Sequence, residues 1–146
     1  MAEEKYLRQY EKSATGNYLL KQRGLLENVI GDGGTSAIAL SQEQSGSVVV
    51  PTKAGAVTTT LPAVKSGLYY KFYSGSAQAH VITGGAAVIQ GMIYDNTNGT
   101  TLAATDVADA TTITIANGVV GDCLEFHCDG TNWYVEGRLN DTPTVA

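Results

Sequence analysis

Long apolar runs are missing from this sequence, and none approaches the ~20 residues a membrane-spanning helix needs. The opening Met-Ala-Glu-Glu-Lys is charged and has no apolar core, so no secretory leader is expected and synthesis in a cytosol is. Cations are scarce: nine Lys and Arg face 14 Asp and Glu, a net charge of −5. Phosphate binding needs a clustered positive field, which argues against nucleic acid as the main partner.

Cysteine and histidine number only two each. The best metal-ligating set is Cys123, His127 and Cys128. In an extended strand Cys123 and Cys128 point to opposite faces, while Cys123 and His127 share a face about 13 Å apart. Zinc ligands must converge at about 2.0–2.3 Å from the ion, so no metal site is expected. The same separation excludes a Cys123–Cys128 disulfide. Adjacent His127 and Cys128 point apart and make no catalytic pair. No Gly-x-Ser-x-Gly elbow occurs, and Gly31-Asp32-Gly33-Gly34 lacks a P-loop lysine. Among the carboxylates, Asp106 and Asp109 lie in a Thr/Ala-rich stretch, and Asp122, Glu125 and Glu136 gather near the last hairpin. Glu125 and Glu136 fall opposite each other on a flat surface, without the cleft a glycosidase needs. A non-enzymatic chain with no cofactor and no small-molecule substrate is the expectation.

Present in quantity are glycine, 17 residues, and the β-branched Thr and Val, in runs such as Thr58-Thr59-Thr60. These suit strands and turns. At 146 residues with 43% hydrophobic content the chain can bury a core, roughly two-thirds of its unfolded surface. Its character changes near Gly31–Gly34. Residues 1–30 hold five Lys/Arg and four Asp/Glu, a net of +1; residues 31–146 hold four and ten, a net of −6. The organisation read from this is an N-terminal docking arm with a glycine hinge over 1–34 and a β-sandwich body over 35–146.

In the arm, Glu3–Lys12 has the spacing of a short helix, with Tyr6, Leu7 and Tyr10 on one face. Leu19, Leu20, Leu25, Leu26, Val29 and Ile30 follow, interrupted by Gly24, which fits an extended path equally well. Segments this short need a surface to lie on, either the chain's own body or, the favoured reading, a neighbouring subunit or another protein. Tyr6, Leu7, Tyr10, Tyr18, Leu19, Leu25 and Leu26 are therefore the expected partner-binding residues of the arm. Each large apolar side chain buried there contributes roughly 1.5–3 kcal/mol.

The body reads as short strands at 37–40, 47–50, 57–61, 68–73, 79–83, 86–89, 111–115, 122–128 and 133–139. The fold class is all-β: an antiparallel β-sandwich or jelly-roll-like barrel carrying the extended or helical arm. The last hairpin is the sharpest unit. Asp129-Gly130-Thr131-Asn132 is a turn sequence, and placing Cys128 opposite Trp133 sorts Leu124, Phe126, Cys128, Trp133 and Val135 to one face. Thr60, Gly67 and Phe72 repeat the spacing of Thr114, Gly121 and Phe126, which suggests duplicated halves. Tyr69 and Tyr73 share a strand parity opposite Tyr70 and Phe72; with Tyr134 and Arg138 they are candidate intersubunit residues, since aromatic side chains enrich interface cores.

The body resembles small β-domains of tailed-bacteriophage virion proteins, both capsid decoration (cement) proteins and tail-fibre heads. The matching pieces are Thr60-Leu61-Pro62-Ala63, Gly67-Leu68-Tyr69-Tyr70-Lys71-Phe72, Ile89-Gln90-Gly91, and Gly121-Asp122 through Asp129-Gly130-Thr131-Asn132-Trp133-Tyr134-Val135-Glu136-Gly137. The similarity covers roughly residues 35–140 and leaves out the arm. It implies a homotrimer with a non-enzymatic role at the virion. The chain's small size favours a decoration protein on the capsid surface, made in the host cytoplasm, that clamps major capsid protein subunits and stabilises the head. The alternative is a receptor- or glycan-binding tail-fibre head using loops 92–110 and 129–132, with Trp133 and the nearby tyrosines as sugar platforms.

Overall fold

A computed structural model describes residues 10–12, 18–20, 29–96, 99 and 102–146. Its strands in chain order are β1 (Tyr10–Lys12), β2 (Tyr18–Leu20), β3 (Val29–Ile30), β4 (Ala37–Ala39), β5 (Ser47–Val49), β6 (Val57–Thr60), β7 (Tyr69–Tyr73), β8 (His80–Thr83), β9 (Ile89–Asp95), β10 (Ala103–Ala110), β11 (Thr112–Ile115), β12 (Cys123–Cys128), β13 (Trp133–Leu139) and β14 (Thr144–Val145). No α-helix occurs among the described residues; a 3-10 turn spans Gln42–Gln44. The helix expected over Glu3–Lys12 falls mostly outside them, and its last three residues are the strand β1, paired antiparallel with β2.

The body is all-β and has two sheets. One has seven strands in the order β10-β9-β13-β12-β7-β5-β3, the other five in the order β14-β11-β8-β6-β4. The expected antiparallel pairing is corrected here, because both sheets are mixed. From β3 to β8 the chain alternates between sheets on every strand, so each strand lies parallel to the next but one: β3 with β5, β5 with β7, β4 with β6 and β6 with β8. Parallel neighbours require such crossovers, and here the opposite sheet supplies them. The path resembles the winding of a solenoid. The later strands close it with antiparallel pairs, β8 with β11 and β7 with β12. β9 then lies parallel to β13.

The last hairpin takes the expected register, with Cys128 opposite Trp133 and Glu125 opposite Glu136. Leu124, Phe126, Cys128, Trp133 and Val135 are all buried in the core between the sheets, with Tyr70, Phe72, Ile82, Ile89, Ile93, Ile113 and Ile115. The Tyr70 and Trp133 rings meet with centroids 5.9 Å apart, a separation at which tilted aromatic pairs attract. Tyr70 keeps its polar end satisfied by donating to the Ser41 carbonyl at 2.7 Å. Burial pushes its hydroxyl pKa up to about 12.

The proposed repeat has a structural counterpart. Thr60 ends β6 and Thr114 lies in β11, both in the five-stranded sheet; Phe72 and Phe126 lie in β7 and β12, both in the seven-stranded one. Between them Gly67 (φ 83) and Gly121 (φ 97) turn the chain through the left-handed region, which other residues adopt at a cost.

Val29–Ile30, assigned to the arm, forms the edge strand β3 of the seven-stranded sheet. The segment Gly31–Gly34, read as a hinge, is a pinned turn. Asp32 is buried, and its carboxylate accepts backbone N–H bonds from Gly34 (2.8 Å), Lys53 (2.7 Å) and Thr52. These bonds, that from Gly34 foremost, hold the Asp32 carboxyl below the usual range. Residues 92–110, read as a loop, contain most of β9 and all of β10.

Thr59 points into the core, where its hydroxyl is buried without a hydrogen-bond partner. It borders a void of about 10 Å³ lined mainly by Leu40, Val49, Leu61, Phe72, Ile82 and Phe126. Those apolar walls offer a trapped water no second partner. Thr59→Val keeps the shape and removes the stranded hydroxyl. It is expected to raise unfolding free energy by about 1 kcal/mol in urea titrations; a loss of stability would contradict this account of the core.

Candidate partner-binding face

Strand parity sends every second residue of the seven-stranded sheet outward, and register sorts these residues into rows across the strands. One row reads Tyr73, Cys123, Arg138, Tyr94 and Ala104 across β7, β12, β13, β9 and β10. The next reads Lys71, Glu125, Glu136, Met92 and Asp106. The third reads Tyr69, His127, Tyr134 and Gln90. The other sheet differs: its outward rows are Ala37, Thr58, Val81, Thr114 and Thr144, then Ala39, Thr60, Thr83 and Thr112. Aromatic and charged chemistry is therefore concentrated on one side of the sandwich.

Within the aromatic face the contacts are specific. Lys71 Nζ lies 2.9 Å from Glu125 Oε1 and 5.4 Å from the Tyr73 ring centroid. The Lys71 ammonium holds the Glu125 carboxyl below its ordinary range. Tyr69 and His127 pack with ring centroids 4.8 Å apart. The Tyr134 hydroxyl donates to Asp129 Oδ2 at 3.0 Å, while Asp129 Oδ1 accepts the Thr131 and Asn132 N–H groups and shapes the turn. Met92, Tyr94 and Tyr134 are 42%, 43% and 40% exposed, well above what a core position leaves open. Tyr94, Cys123, Glu125, Glu136, Gly137 and Arg138 border an open depression of about 370 Å³.

The four residues named as intersubunit candidates, Tyr69, Tyr73, Tyr134 and Arg138, thus all lie on this face. Of the arm candidates, Tyr6, Leu7, Leu25 and Leu26 fall outside the described residues; Tyr10 is in β1, and Tyr18 and Leu19 are in β2. Met92 and Tyr94 were not foreseen. The alternation of inward Ile89 and Ile93 with outward Gln90, Met92 and Tyr94 carried the signal, obscured by Gly91 at the strand centre.

Reactive groups distribute as follows. Cys123 and Cys128 are free thiols, Cys123 on the outer face and Cys128 in the core. Burial raises the pKa of the Cys123 thiol. Ligand atoms of Glu125, His127 and Glu136 come within 4.8 Å of one another, a set chemically suited to a divalent cation. Lys71 already occupies the Glu125 carboxylate and would compete with such an ion. Asp122 is buried and fully engaged: it accepts bonds from Val119 N and from Asn140 N and Nδ2, each at 2.8 Å. It stabilises a junction of loops and does not face Glu125 as an acid/base partner. Trp133 is 0% exposed, which removes it as a sugar platform.

A Ser–His pair escaped the sequence reading because its members lie on different elements. Ser74 Oγ and His80 Nε2 are 2.8 Å apart, and both residues are buried. Ser74 Oγ also donates to the Ser76 carbonyl at 2.7 Å, which leaves Nε2–H as donor to Ser74 and Nδ1 as a bare lone pair. That tautomer strands an acceptor, whereas the other would strand a donor. The Phe72 ring meets the imidazole edge-on at 5.3 Å, and a Cβ on Gly118 would come 2.9 Å from His80 Cδ2. The pair is sealed packing with no room for a substrate.

No protein-family model matches this chain, and no curated protein matches it.

Burial lowers the pKa of His80, so its imidazole resists protonation in the folded state. The unfolded chain therefore binds one more proton between the folded pKa and the ordinary value of about 6.5. Stability falls as pH drops through that window, by at most about 1.4 kcal/mol per pH unit. Chemical denaturation from pH 7.5 to 5 is expected to show this slope in the native chain and a shallower one in His80→Gln. Equal slopes would assign the effect to other groups.

Proposed function

We propose that this chain is a non-enzymatic structural protein of a tailed-bacteriophage virion, a capsid decoration protein that binds across major capsid protein subunits and stabilises the head. The observation that carries the reading is a division of labour within the body. Its interior is filled with apolar side chains, and its buried polar groups serve packing. Its aromatic and charged residues lie on one broad, open sheet face. Such a face suits a contact between subunits, where exposed Tyr and Arg side chains contribute most, and leaves capsid contact to the arm.

The N-terminal residues extend the same logic. They precede β3, the edge strand beyond β5 in the seven-stranded sheet. Tyr6, Leu7, Tyr10, Tyr18, Leu19, Leu25 and Leu26 then act as the clamp, burying apolar surface across the joint between capsomers. Several arms on one assembly add avidity.

The arm is tested by removing residues 1–28, a cut that keeps β3 in the body. The truncated chain is expected to retain a β-type circular dichroism spectrum and to remain in the supernatant when the full chain cosediments with purified heads. Equal cosedimentation would remove the arm from the mechanism. Immunogold electron microscopy of virions carrying the chain should label heads; label confined to tail tips would overturn the decoration assignment.

A further inference from the structure

We infer that the outer face of the seven-stranded sheet joins two copies of this chain, packed face to face about a twofold axis. The axis runs across the strands midway between the Glu136 and Arg138 levels.

The charge pattern sets this geometry. Lys71 and Glu125 neutralise each other within one chain at 2.9 Å. Glu136 and Arg138 are both exposed, sit two residues apart on the same side of β13, and make no ion pair among the described residues. A twofold axis lying in the face, perpendicular to the strands, sets each strand over its own copy and exchanges the two levels. Glu136 then meets Arg138 of the second copy, and Arg138 meets Glu136, so the contact is made twice. An axis through the Glu136 level itself would instead set carboxylate against carboxylate. Like charges directly opposed are destabilising, which fixes the position of the axis.

The rest of both rows agrees with this placement. Met92 of each copy lies over Tyr94 of the other, a thioether-on-ring contact that covers two large apolar side chains left exposed in the single chain. Glu125 falls opposite Cys123, and Asp106 opposite Ala104, so no like charges face one another. The depression bordered by Tyr94, Glu136 and Arg138 lies at the same two levels and gives the incoming Arg138 side chain room beside Glu136. The twofold order departs from the threefold order that the phage resemblance implies, and it stands whether or not the virion reading does.

Charge reversal tests the arrangement in the full chain. Sedimentation equilibrium is expected to give a dimer for the native protein. Arg138→Glu or Glu136→Arg places like charges in contact twice and should raise the dimer dissociation constant at least about tenfold. The exchanged variant, Glu136→Arg with Arg138→Glu, rebuilds both pairs with reversed polarity and should recover the dimer. Both substituted positions are solvent-facing, and matching circular dichroism spectra and melting temperatures confirm that folding is unchanged. A native monomer, a native trimer, single reversals without effect, or an exchanged variant that stays dissociated would each overturn the inference. Head cosedimentation is read separately, so a failure of dimerisation is distinguishable from a failure of capsid binding.

Discussion

The register of β12 against β13 is the constraint on which most of the molecule depends. These strands occupy the middle of the seven-stranded sheet, with β7 on one side and β9 on the other. Setting Cys128 opposite Trp133 sends Phe126, Trp133 and Val135 into the core and Glu125, His127, Tyr134, Glu136 and Arg138 outward. A slip of one residue would exchange the two sets, burying charges and exposing the largest apolar side chain. The same register that builds the core therefore also writes the pattern on the outer face. Stability and surface chemistry are not independent in this chain.

This explains which parts of the structure were legible in the sequence. The hairpin was readable because its alternation is strict and its turn, from Asp129 to Asn132, contains glycine and an Asx-type side-chain bond. The fold class followed from strand length and spacing. Sheet pairing did not, because parallel and antiparallel neighbours share the same two-residue period. Nothing in Val48 or Val57 announces that the next strand crosses to the opposite sheet. β10 was obscured for a different reason: Ala103–Ala110 pairs Ala and Asp with a single large apolar residue, Val107, and its ladder shifts register before Ala110. An edge strand with two aspartates and an irregularity has low intrinsic strand character, and it resists pairing with other chains for the same reason.

The site was legible in part. Tyr69, Tyr73, Tyr134 and Arg138 could be grouped because they lie on strands whose parity was already known. Met92 and Tyr94 could not, since the parallel pairing of β9 with β13 that brings them alongside is a long-range contact. The Asp32 turn shows the opposite error. Glycines at positions 31, 33 and 34 suggested freedom, yet one carboxylate collecting three backbone donors removes it. Composition describes what the unfolded chain can do; a buried acceptor decides what the folded chain does.

The order of strands in space carries a consequence for synthesis. β9 and β10 leave the ribosome before β12 and β13, yet the central hairpin is what links them to β7. Until residues 123–139 have emerged, Ile89, Ile93 and Val107 belong to a two-stranded ribbon with no sheet beside it, and the N-terminal windings present an open margin at β7. In chain order the sheet is thus completed at its centre, by strands made after both of its flanks.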